Sequence, residues 1–474
     1  MIDPRKKAIV LTFDRLPLRF LGCYGNPWIE TPNFDRLAAR SVVFDQHFAE
    51  NVDPTAASHA WFNGCYQFPR SRQRQQKQPS IAEMLRDTGI TTRLVSEQTH
   101  GQAASMRPRF NQITEVIGRD GLEIDHADTP FGKLMDQAVG CLKALSCDDR
   151  TPWLLWLQSR GVPVPWIAPE AFATLYFDEL AGRKLGTTGP DFEIADLSHT
   201  DTAQFDASDE FILSGGRIGL GPDRAENSVL DKCNLSDAEW RVSRAVYAGY
   251  VTLLDFWLGR LLDEIEQTIQ NEELLFIVTA DRGESLGERD TSTIVNETQN
   301  LPGLLGDEIV HSPLIVSFSR SDGLGSRQQE LVQAVDLVPT LFEWFQIDGT
   351  GFPNEGRSFL THIHGKQMSD RRYLCLGHGR RHQAIRTSDF YLVQCLTSEH
   401  DDIETDANPV ALYLKPEDIW DVNDVAAQSR GEVESLSQTL EQFVSNARQS
   451  QPLEIPCMQH TTEMAIPKNV TTPS

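Results

Sequence analysis

Short apolar runs alternate with amphipathic segments along the first 350 residues of the chain. The runs at 8–13, 152–157 and 274–278 are apolar at nearly every position, which is typical of strands buried on both faces of a parallel sheet. A long segment that begins at Ser243 repeats its apolar residues at helical spacing. Strands that alternate with helices predict an α/β fold, with a mixed, mostly parallel sheet between layers of helices.

The pattern changes from about residue 351 onward. The stretch QAIRTSDFYLVQ (383–394) alternates like a pair of hairpin strands, and SLSQTLEQFV (435–444) has helical spacing. These signals predict a catalytic-type N-terminal domain over 1–350 and a small C-terminal α+β subdomain over 351–449.

Two further segments lack a clear secondary-structure pattern. Residues 170–240 are rich in Gly and Asp with weak periodicity, so the segment is an insertion or lid near the site, or a simple surface excursion. Residues 450–474 are polar and contain proline, a composition that predicts a disordered tail.

Two Asp-Arg dipeptides directly follow apolar strands. Asp14-Arg15 comes after KAIVLTF, and Asp281-Arg282 comes after LLFIVTA. Acidic residues at the carboxyl ends of parallel strands are what an oxygen-ligand metal site in an α/β protein needs. Arginine cannot be a ligand, because its guanidinium has only donors and stays charged. The dipeptides therefore predict a site in which each carboxylate is followed directly by a guanidinium.

Composition narrows the possible partners. The 474 residues carry a formal net charge of -25, so nucleic acid and anionic membranes are unfavourable partners. No signal-peptide pattern and no membrane-spanning run is visible, and the eight cysteines are scattered without zinc-like spacing. These features predict a cytoplasmic protein with reduced thiols, and they give no information on oligomeric state.

Several blocks, in order, resemble the sulfatase family of the alkaline phosphatase superfamily. The resemblance covers nearly the whole chain, because many separate blocks keep their order. It implies the family fold, a large mixed sheet between helices with a small C-terminal sheet domain. The blocks include LGCYGNPWIETPNFDRLAARSVVF, SIAEMLRDTGITTRLV, LLFIVTADRGESLGE, HSPLIV, VDLVPTLFEWF and LYLKPEDIWDVNDVA.

The family's metal site matches this chain only in part. The resemblance implies calcium or another divalent cation, held by an Asp-Asp pair after the first strand and by an Asp-His or Asp-Asn pair after the later one. Asp14 and Asp281 fit the first and third ligands, whereas Arg15 and Arg282 stand where the other two belong. The cation is therefore expected to bind weakly or not at all.

The family's catalytic residues also match incompletely. The C-x-P-S-R motif that is converted to formylglycine is absent, since the chain reads DPTAASHAWFNG there. The likeness to T-x-P-S-H relatives places Thr55 at the nucleophile and His59 at the following basic position. In the block that resembles G-K-W-H-x-G, Glu97 replaces the lysine and His100 is displaced by one.

Two interpretations of the arginines follow. In the first, the carboxylates and guanidiniums of the two dipeptides balance their charges and close a metal-free ionic cluster. In the second, an arginine points to the surface and leaves Asp14, Thr55 and Asp281 to hold a weaker ion. Other acidic or basic residues in family-like blocks are expected to serve packing and capping, namely Asp35, Asp255, His311 and Asp336.

Three classes of function remain open. The first is a catalytically impaired or pseudo-sulfatase that keeps the pocket as a binding or regulatory surface, with a small anionic ester as a possible ligand. The second is an active sulfate or phosphate ester hydrolase, with Thr55 as nucleophile and Arg15, Arg282 and His59 replacing the cation. The third is a purely structural partner protein, for which the sequence gives no positive sign.

Overall fold

A computed structural model describes most of the chain. The described residues are 3–69, 79–97, 109–147, 150–163, 166–177, 237–269, 273–288, 303–318, 325–360, 371–379, 381–396 and 410–449. His100, most of the 170–240 segment and the 450–474 tail lie outside these ranges.

Strands and helices alternate along the chain. The strands are β1 (Lys6–Phe13), β2 (Ser41–Phe44), β3 (His47–Phe48), β4 (Thr91–Glu97), β5 (Gln112–Val116), β6 (Trp153–Ser159), β7 (Glu273–Ala280), β8 (Leu314–Phe318), β9 (Ser326–Gln328), β10 (Val332–Gln333), β11 (Leu374–His378), β12 (His382–Arg386), β13 (Phe390–Cys395) and β14 (Val410–Leu414). The helices are α1 (Pro32–Ala38), α2 (Pro54–Asn63), α3 (Ile81–Asp87), α4 (Pro130–Leu145), α5 (Glu170–Ala173), α6 (Asp237–Thr268), α7 (Asp307–Val310), α8 (Leu337–Phe345) and α9 (Arg430–Gln449).

The main sheet has eight strands in the order β5-β4-β6-β1-β7-β8-β2-β9. The strands from β5 to β7 are parallel, β8 runs antiparallel to both β7 and β2, and β9 is parallel to β2. The predicted mixed, mostly parallel sheet is confirmed. Its centre is the pair β1 and β7, the strands that precede the two Asp-Arg dipeptides.

Both faces of the sheet are covered, as the continuous apolar runs predicted. In β1, Ile9 and Leu11 belong to one hydrophobic cluster with α4 and α6, whereas Ala8 and Val10 belong to the opposite cluster. These four side chains are fully buried, and burial of a large aliphatic side chain contributes about 2 kcal/mol to stability. The packed strand therefore fixes the position of Asp14, the residue that follows it.

The start of α3 shows how sequence sets a helix boundary. The Ser80 side chain accepts from the backbone N–H of Glu83, and the Glu83 carboxylate accepts from the N–H of Ser80. This reciprocal capping box satisfies donors that a helix N-terminus leaves unpaired. The predicted boundary at Ser80 is confirmed.

The C-terminal part forms a four-stranded antiparallel sheet, β11-β12-β13-β14, and α9 packs on it. The predicted hairpin is β12 and β13, paired through Ala384 and Val393. Ile385 and Leu392 belong to the same hydrophobic cluster as Val10 of the main sheet. The small sheet therefore shares a core with the large one, and the division at residue 350 stays a prediction.

Candidate active site

The two central strands bring the two dipeptides together. Strands β1 and β7 are parallel neighbours in which Phe13 is paired with Ala280. Their next residues, Asp14 and Asp281, consequently leave the same edge of the sheet side by side. A hydrogen bond from the Asp281 N–H to the Phe13 carbonyl (2.9 Å) continues the ladder into this edge.

Arg282 bridges the two carboxylates. Its Nη1 donates to Oδ2 of Asp281 at 3.0 Å, and its Nη2 lies 3.0 Å from Oδ1 of Asp14. The Arg282 side chain is 11% exposed and that of Asp281 2%, so little water competes for these contacts. The interpretation in which Arg282 points to the surface is wrong, because both ends of its guanidinium face carboxylates.

Arg15 contributes to the cluster in a different way from Arg282. Its backbone N–H, not its guanidinium, donates to Oδ1 of Asp281 at 3.0 Å. Its Nε is 3.6 Å from Asp14 Oδ1 and its Nη1 is 3.6 Å from Glu284 Oε2. The predicted bidentate closure by both arginines is therefore wrong for Arg15, whose side chain lies over the carboxylates beyond hydrogen-bond distance.

The backbone of Arg15 is left-handed, with φ of 61°. This region costs about 1 kcal/mol for an ordinary residue and is tolerated better by Asp and Asn. The Arg15 carbonyl accepts from the Tyr247 hydroxyl of α6 at 2.8 Å. Two hydrogen bonds thus hold Arg15 in a conformation that suits the short acidic residue that the resemblance expects there.

Two carboxylates near the arginines were missed in the sequence analysis. Glu284 lies beside Arg15, and Glu284 and Asp53 join Asp14 and Asp281 in raising the pKa of Arg282. The cluster therefore contains four carboxyl groups and two guanidiniums, so the expected charge neutrality is wrong. Glu284 lies three residues beyond Asp281, and that short spacing after a strand was the available signal.

The burial of Asp281 opposes its ionisation. Burial raises the pKa of Asp281 to about 8; Arg282 opposes the rise, and the neighbouring Asp14 carboxylate adds to it. Burial alone would lower the pKa of Arg282, but Asp281 and Asp14 outweigh it and raise that pKa. Asp281 is therefore harder to ionise than a free aspartate, whereas Arg282 stays charged.

Helix α2 carries the predicted nucleophile, and its N-cap Asp53 acts electrostatically on Arg282. Asp53 is its N-cap and accepts from the Ala56 N–H at 2.9 Å. Thr55 is half-buried in the first turn. His59, one turn further, is buried, and burial lowers its pKa while Asp53 opposes the shift. His59 is therefore a neutral imidazole at pH 7, which can accept but does not supply positive charge.

A second acid–base pair occupies the same edge at β4 and β6. Glu97 ends β4 and is buried, and it accepts from the Ser159 hydroxyl at 2.8 Å and from Arg160 Nε at 3.2 Å. Arg160 also donates to Asp120 at 3.0 Å. The sequence analysis identified the charge reversal at Glu97 but missed Arg160, although it too directly follows an apolar strand.

The pair explains how a buried carboxylate is tolerated at this position. Burial raises the pKa of Glu97, whereas the Arg160 charge and the Ser159 hydrogen bond oppose the shift. The arginine supplied by the neighbouring strand therefore compensates for the reversal at 97.

Asp35, Asp255 and Asp336 make packing and capping contacts. Asp255 of α6 accepts from the N–H groups of Asn33 and Phe34 and so caps α1. The backbone N–H of Gln333 and the buried Arg371 guanidinium donate to Asp336, and the Asp35 carboxylate lies against Gly22.

His311 also lies in packed surroundings. Its ring stacks on Phe48 at 4.4 Å, and its Nε2 contacts the Asp45 carbonyl oxygen at 2.8 Å. Its Nδ1 lies 3.4 Å from Asp307. These contacts connect His311 to α7 rather than to the four-carboxylate cluster.

The comparison with known families identifies the family to which this fold and this site belong. A family model described as Sulfatase matches residues 6–347. The chain belongs to the sulfatase family. The family's chemistry uses a divalent cation and, in sulfatases, a formylglycine, and the matched region contains both strands that precede the dipeptides.

Individual relatives have low sequence identity to this chain, but the matches extend over most of its length. The chain is 23% identical over 403 residues to the multifunctional alkaline phosphatase superfamily protein PehA of Trinickia caryophylli, covering 73% of each protein. It is 23% identical over 462 residues to an N-acetylglucosamine-6-O-sulfatase of Bacteroides thetaiotaomicron, covering 82% of this chain and 78% of that protein.

A solved structure gives the same picture at the level of the fold. One determined in complex with its substrate D-glucosamine-2-N,6-O-disulfate has a TM-score of 0.69 and 17% identity, covering 95% of this chain and 99% of its own. At this identity the likeness establishes the shared fold, and the alkaline-phosphatase-like architecture predicted from the sequence is confirmed.

The residues present do not fit the family's divalent cation. A guanidinium lies between Asp14 and Asp281, the two ligands that the chain retains. Within the described ranges no three His, Cys, Asp or Glu side chains are grouped as metal ligands. A doubly charged ion there would face the Arg282 charge, a repulsion on the order of 8 kcal/mol at about 4 Å and an effective dielectric of about 20.

Two remaining expectations concern the location and chemistry of the chain. No helix in the described part of the chain is long and apolar enough to cross a membrane. No disulfide joins two cysteines of that part of the chain. A cytoplasmic location and the exclusion of nucleic acid and membrane partners stay predictions from the sequence.

Proposed function

We propose that this sulfatase-family protein has lost, or retains very little of, the family's sulfate ester hydrolysis and keeps its pocket for a small anionic ester. The observation that carries the proposal is the bridging of Asp14 and Asp281 by Arg282 at 3.0 Å. A guanidinium in that place neutralises the carboxylates but has no open coordination position for a substrate oxygen.

The consequence for catalysis is electrostatic. A bound cation lowers the pKa of a nucleophilic hydroxyl and offsets charge as it develops on the ester oxygens. Arg282 is already committed to two carboxylates, and His59 is neutral. Neither residue therefore offers the positive charge by which a cation would lower the pKa of the Thr55 hydroxyl and offset charge on the ester oxygens, and this supports the proposed loss of hydrolysis.

Metal content and turnover test the proposal together. We expect the purified protein to contain no stoichiometric divalent metal by elemental analysis. We also expect no turnover of an aryl sulfate, a phosphate monoester or a phosphodiester, with or without calcium or manganese. Stoichiometric calcium, or turnover that depends on it, would contradict the proposal.

A variant designed to regain calcium binding provides the matched control. Arg15→Asp together with Arg282→Asn restores the residue types that the family uses at these positions, and Asp suits the left-handed backbone at 15. We expect calcium to raise the melting temperature of the double variant and to leave that of the wild type unchanged. A wild-type protein stabilised by calcium to the same degree would count against the guanidinium as the replacement.

The alternative is an active hydrolase in which Thr55 is the nucleophile. Its specific support is that Thr55 lies in the first turn of α2 next to Asp53, whose charge reaches Arg282. Thr55→Ala abolishes turnover under this alternative, and Thr55→Ser preserves part of it. If an activity persists in Thr55→Ala, a contaminating enzyme or a different nucleophile is responsible.

A further inference from the structure

The three arginines at the carboxyl edge of the sheet differ in how their donors are used. Arg282 faces a carboxylate with each terminal nitrogen at 3.0 Å, and Arg160 is bonded to Glu97 at 3.2 Å and Asp120 at 3.0 Å. The Arg15 guanidinium makes no hydrogen bond to any residue that the structure describes, and its buried Nε has no acceptor there. Among the described residues, the Arg15 guanidinium has only ion-pair contacts at 3.6 Å, so its donors can serve a ligand.

The position of Arg15 is nevertheless fixed. Its N–H is held by Asp281 and its carbonyl by Tyr247, in a backbone conformation that arginine rarely adopts. The side chain is 28% exposed. A preorganised, partly exposed guanidinium with unused donors binds an oxyanion at low ordering cost.

The surroundings of Arg15 set the charge that such an oxyanion can carry. Asp14 and Glu284 lie 3.6 Å from its nitrogens, on two sides. Each carboxylate attracts Arg15 and repels an incoming anion, and the repulsion grows with the charge of that anion. A singly charged sulfate monoester is therefore tolerated better than a phosphate monoester, whose second pKa near 6 makes it doubly charged at pH 8.

We infer that Arg15 is the residue that contacts the ester's oxyanion, and that Asp14 and Glu284 make the pocket select singly charged sulfate monoesters over doubly charged phosphate monoesters. The inference rests on the proposed function, since it concerns the same pocket. It adds the residue that binds, the residues that position it and the charge class of the ligand.

Phenyl sulfate and phenyl phosphate are matched probes, because they share the aryl group and differ in charge. Calorimetric titration at pH 8 is expected to show phenyl sulfate bound about tenfold more tightly than phenyl phosphate. Arg15→Gln is expected to weaken phenyl sulfate binding about tenfold or more, the loss typical of a charge-assisted hydrogen bond. Arg430→Gln, at an exposed arginine that begins α9, removes the same charge and is expected to change nothing.

Glu284→Gln is expected to strengthen ester binding, whereas Arg15→Gln is expected to weaken it. It removes a carboxylate beside Arg15 with little change of shape, so phenyl phosphate binding is expected to tighten several-fold and the preference for sulfate to narrow. Tyr247→Phe releases the Arg15 carbonyl and is expected to weaken both esters. Because Glu284→Gln gains affinity, its effect cannot be explained by misfolding.

The outcomes separate this inference from the proposed function. Equal or tighter binding of phenyl phosphate, or an Arg15→Gln variant that binds like Arg430→Gln, overturns the inference. Failure to bind either ester also overturns it, while leaving the metal-free cluster untouched. Hydrolysis of phenyl sulfate overturns the proposed loss of activity, and the charge preference is then measured by competition.

Discussion

Nη2 of Arg282 lies 3.0 Å from Oδ1 of Asp14, so the residue that ends one Asp-Arg dipeptide forms an ion pair with the residue that begins the other. The two are 268 positions apart by their numbers in the chain. Only the parallel pairing of β1 with β7 makes the contact possible. The contact places a charge of the protein between the two carboxylates that match the family's metal ligands.

Arg282→Met is expected to destabilise the protein by about 3 kcal/mol, because it leaves the buried Asp281 and the partly exposed Asp14 without their cation. Arg282→Lys is expected to cost less, since it keeps the charge but loses the two-sided contact. Urea unfolding followed by circular dichroism at pH 8 measures both. A methionine variant as stable as the wild type would show that the cluster does not depend on Arg282.

Glu97→Lys restores the residue type of the family at this position and is nevertheless expected to destabilise the fold by a few kcal/mol. The new ammonium would lie beside Arg160 in a buried site. Arg160→Ser in the same chain removes the repulsion and is expected to recover part of the loss. The unfolding free energies of the wild type, the two single variants and the double variant form a double-mutant cycle, which measures the interaction between positions 97 and 160. Strictly additive values would mean that the pair does not interact.

Gly161→Ala is expected to cost well over 1 kcal/mol in unfolding free energy. Gly161 has φ of 63°, and an added Cβ would lie 1.8 Å from the Asp14 carbonyl oxygen. The variant therefore combines backbone strain with a backbone clash at the start of the site. Gly140→Ala is the matched control, since nothing lies within 4 Å of its Cβ in α4. That change is expected to stabilise the helix slightly.

The cap of α1 predicts a pH dependence of stability. Burial raises the pKa of Asp255 to about 6, with the hydrogen bonds from Phe34 and Asn33 opposing the rise. The folded state therefore holds the proton more tightly than the unfolded chain. The stability contribution of Asp255 is full below about pH 4 and is lost as pH rises through 6.

Asp255→Asn removes this titration and keeps an acceptor for the cap. The wild type is expected to lose about 1 kcal/mol relative to the variant between pH 5 and pH 7.5. Urea unfolding at both pH values measures the difference. A difference that is constant with pH, or that changes in the opposite direction, would contradict the shift in Asp255.

The candidate site was only partly visible in the sequence. Asp14 and Asp281 were predictable as neighbours, because buried parallel strands put the residues that follow them at one edge. Glu284 and Arg160 were not recognised, although they lie at the same edge, because neither stands in a position that the family motifs mark. The functional roles of Thr55, His59 and His100 stay predictions, and His100 lies outside the described residues.

The sequence by itself determined the fold class and the positions of the two Asp-Arg dipeptides at the ends of strands. Both follow from apolar periodicity, which is a local property of the chain. Tertiary structure decided which charges pair. Arg15 and Arg282 are the same residue type after equivalent strands. Yet Arg282 donates a hydrogen bond to Asp281 and forms an ion pair with Asp14 at 3.0 Å, whereas Arg15 uses its backbone and leaves its guanidinium without a hydrogen bond among the described residues. Side-chain direction at a strand end depends on the local backbone and on residues far away in sequence, here Tyr247 and Asp281, and no local pattern contains that information.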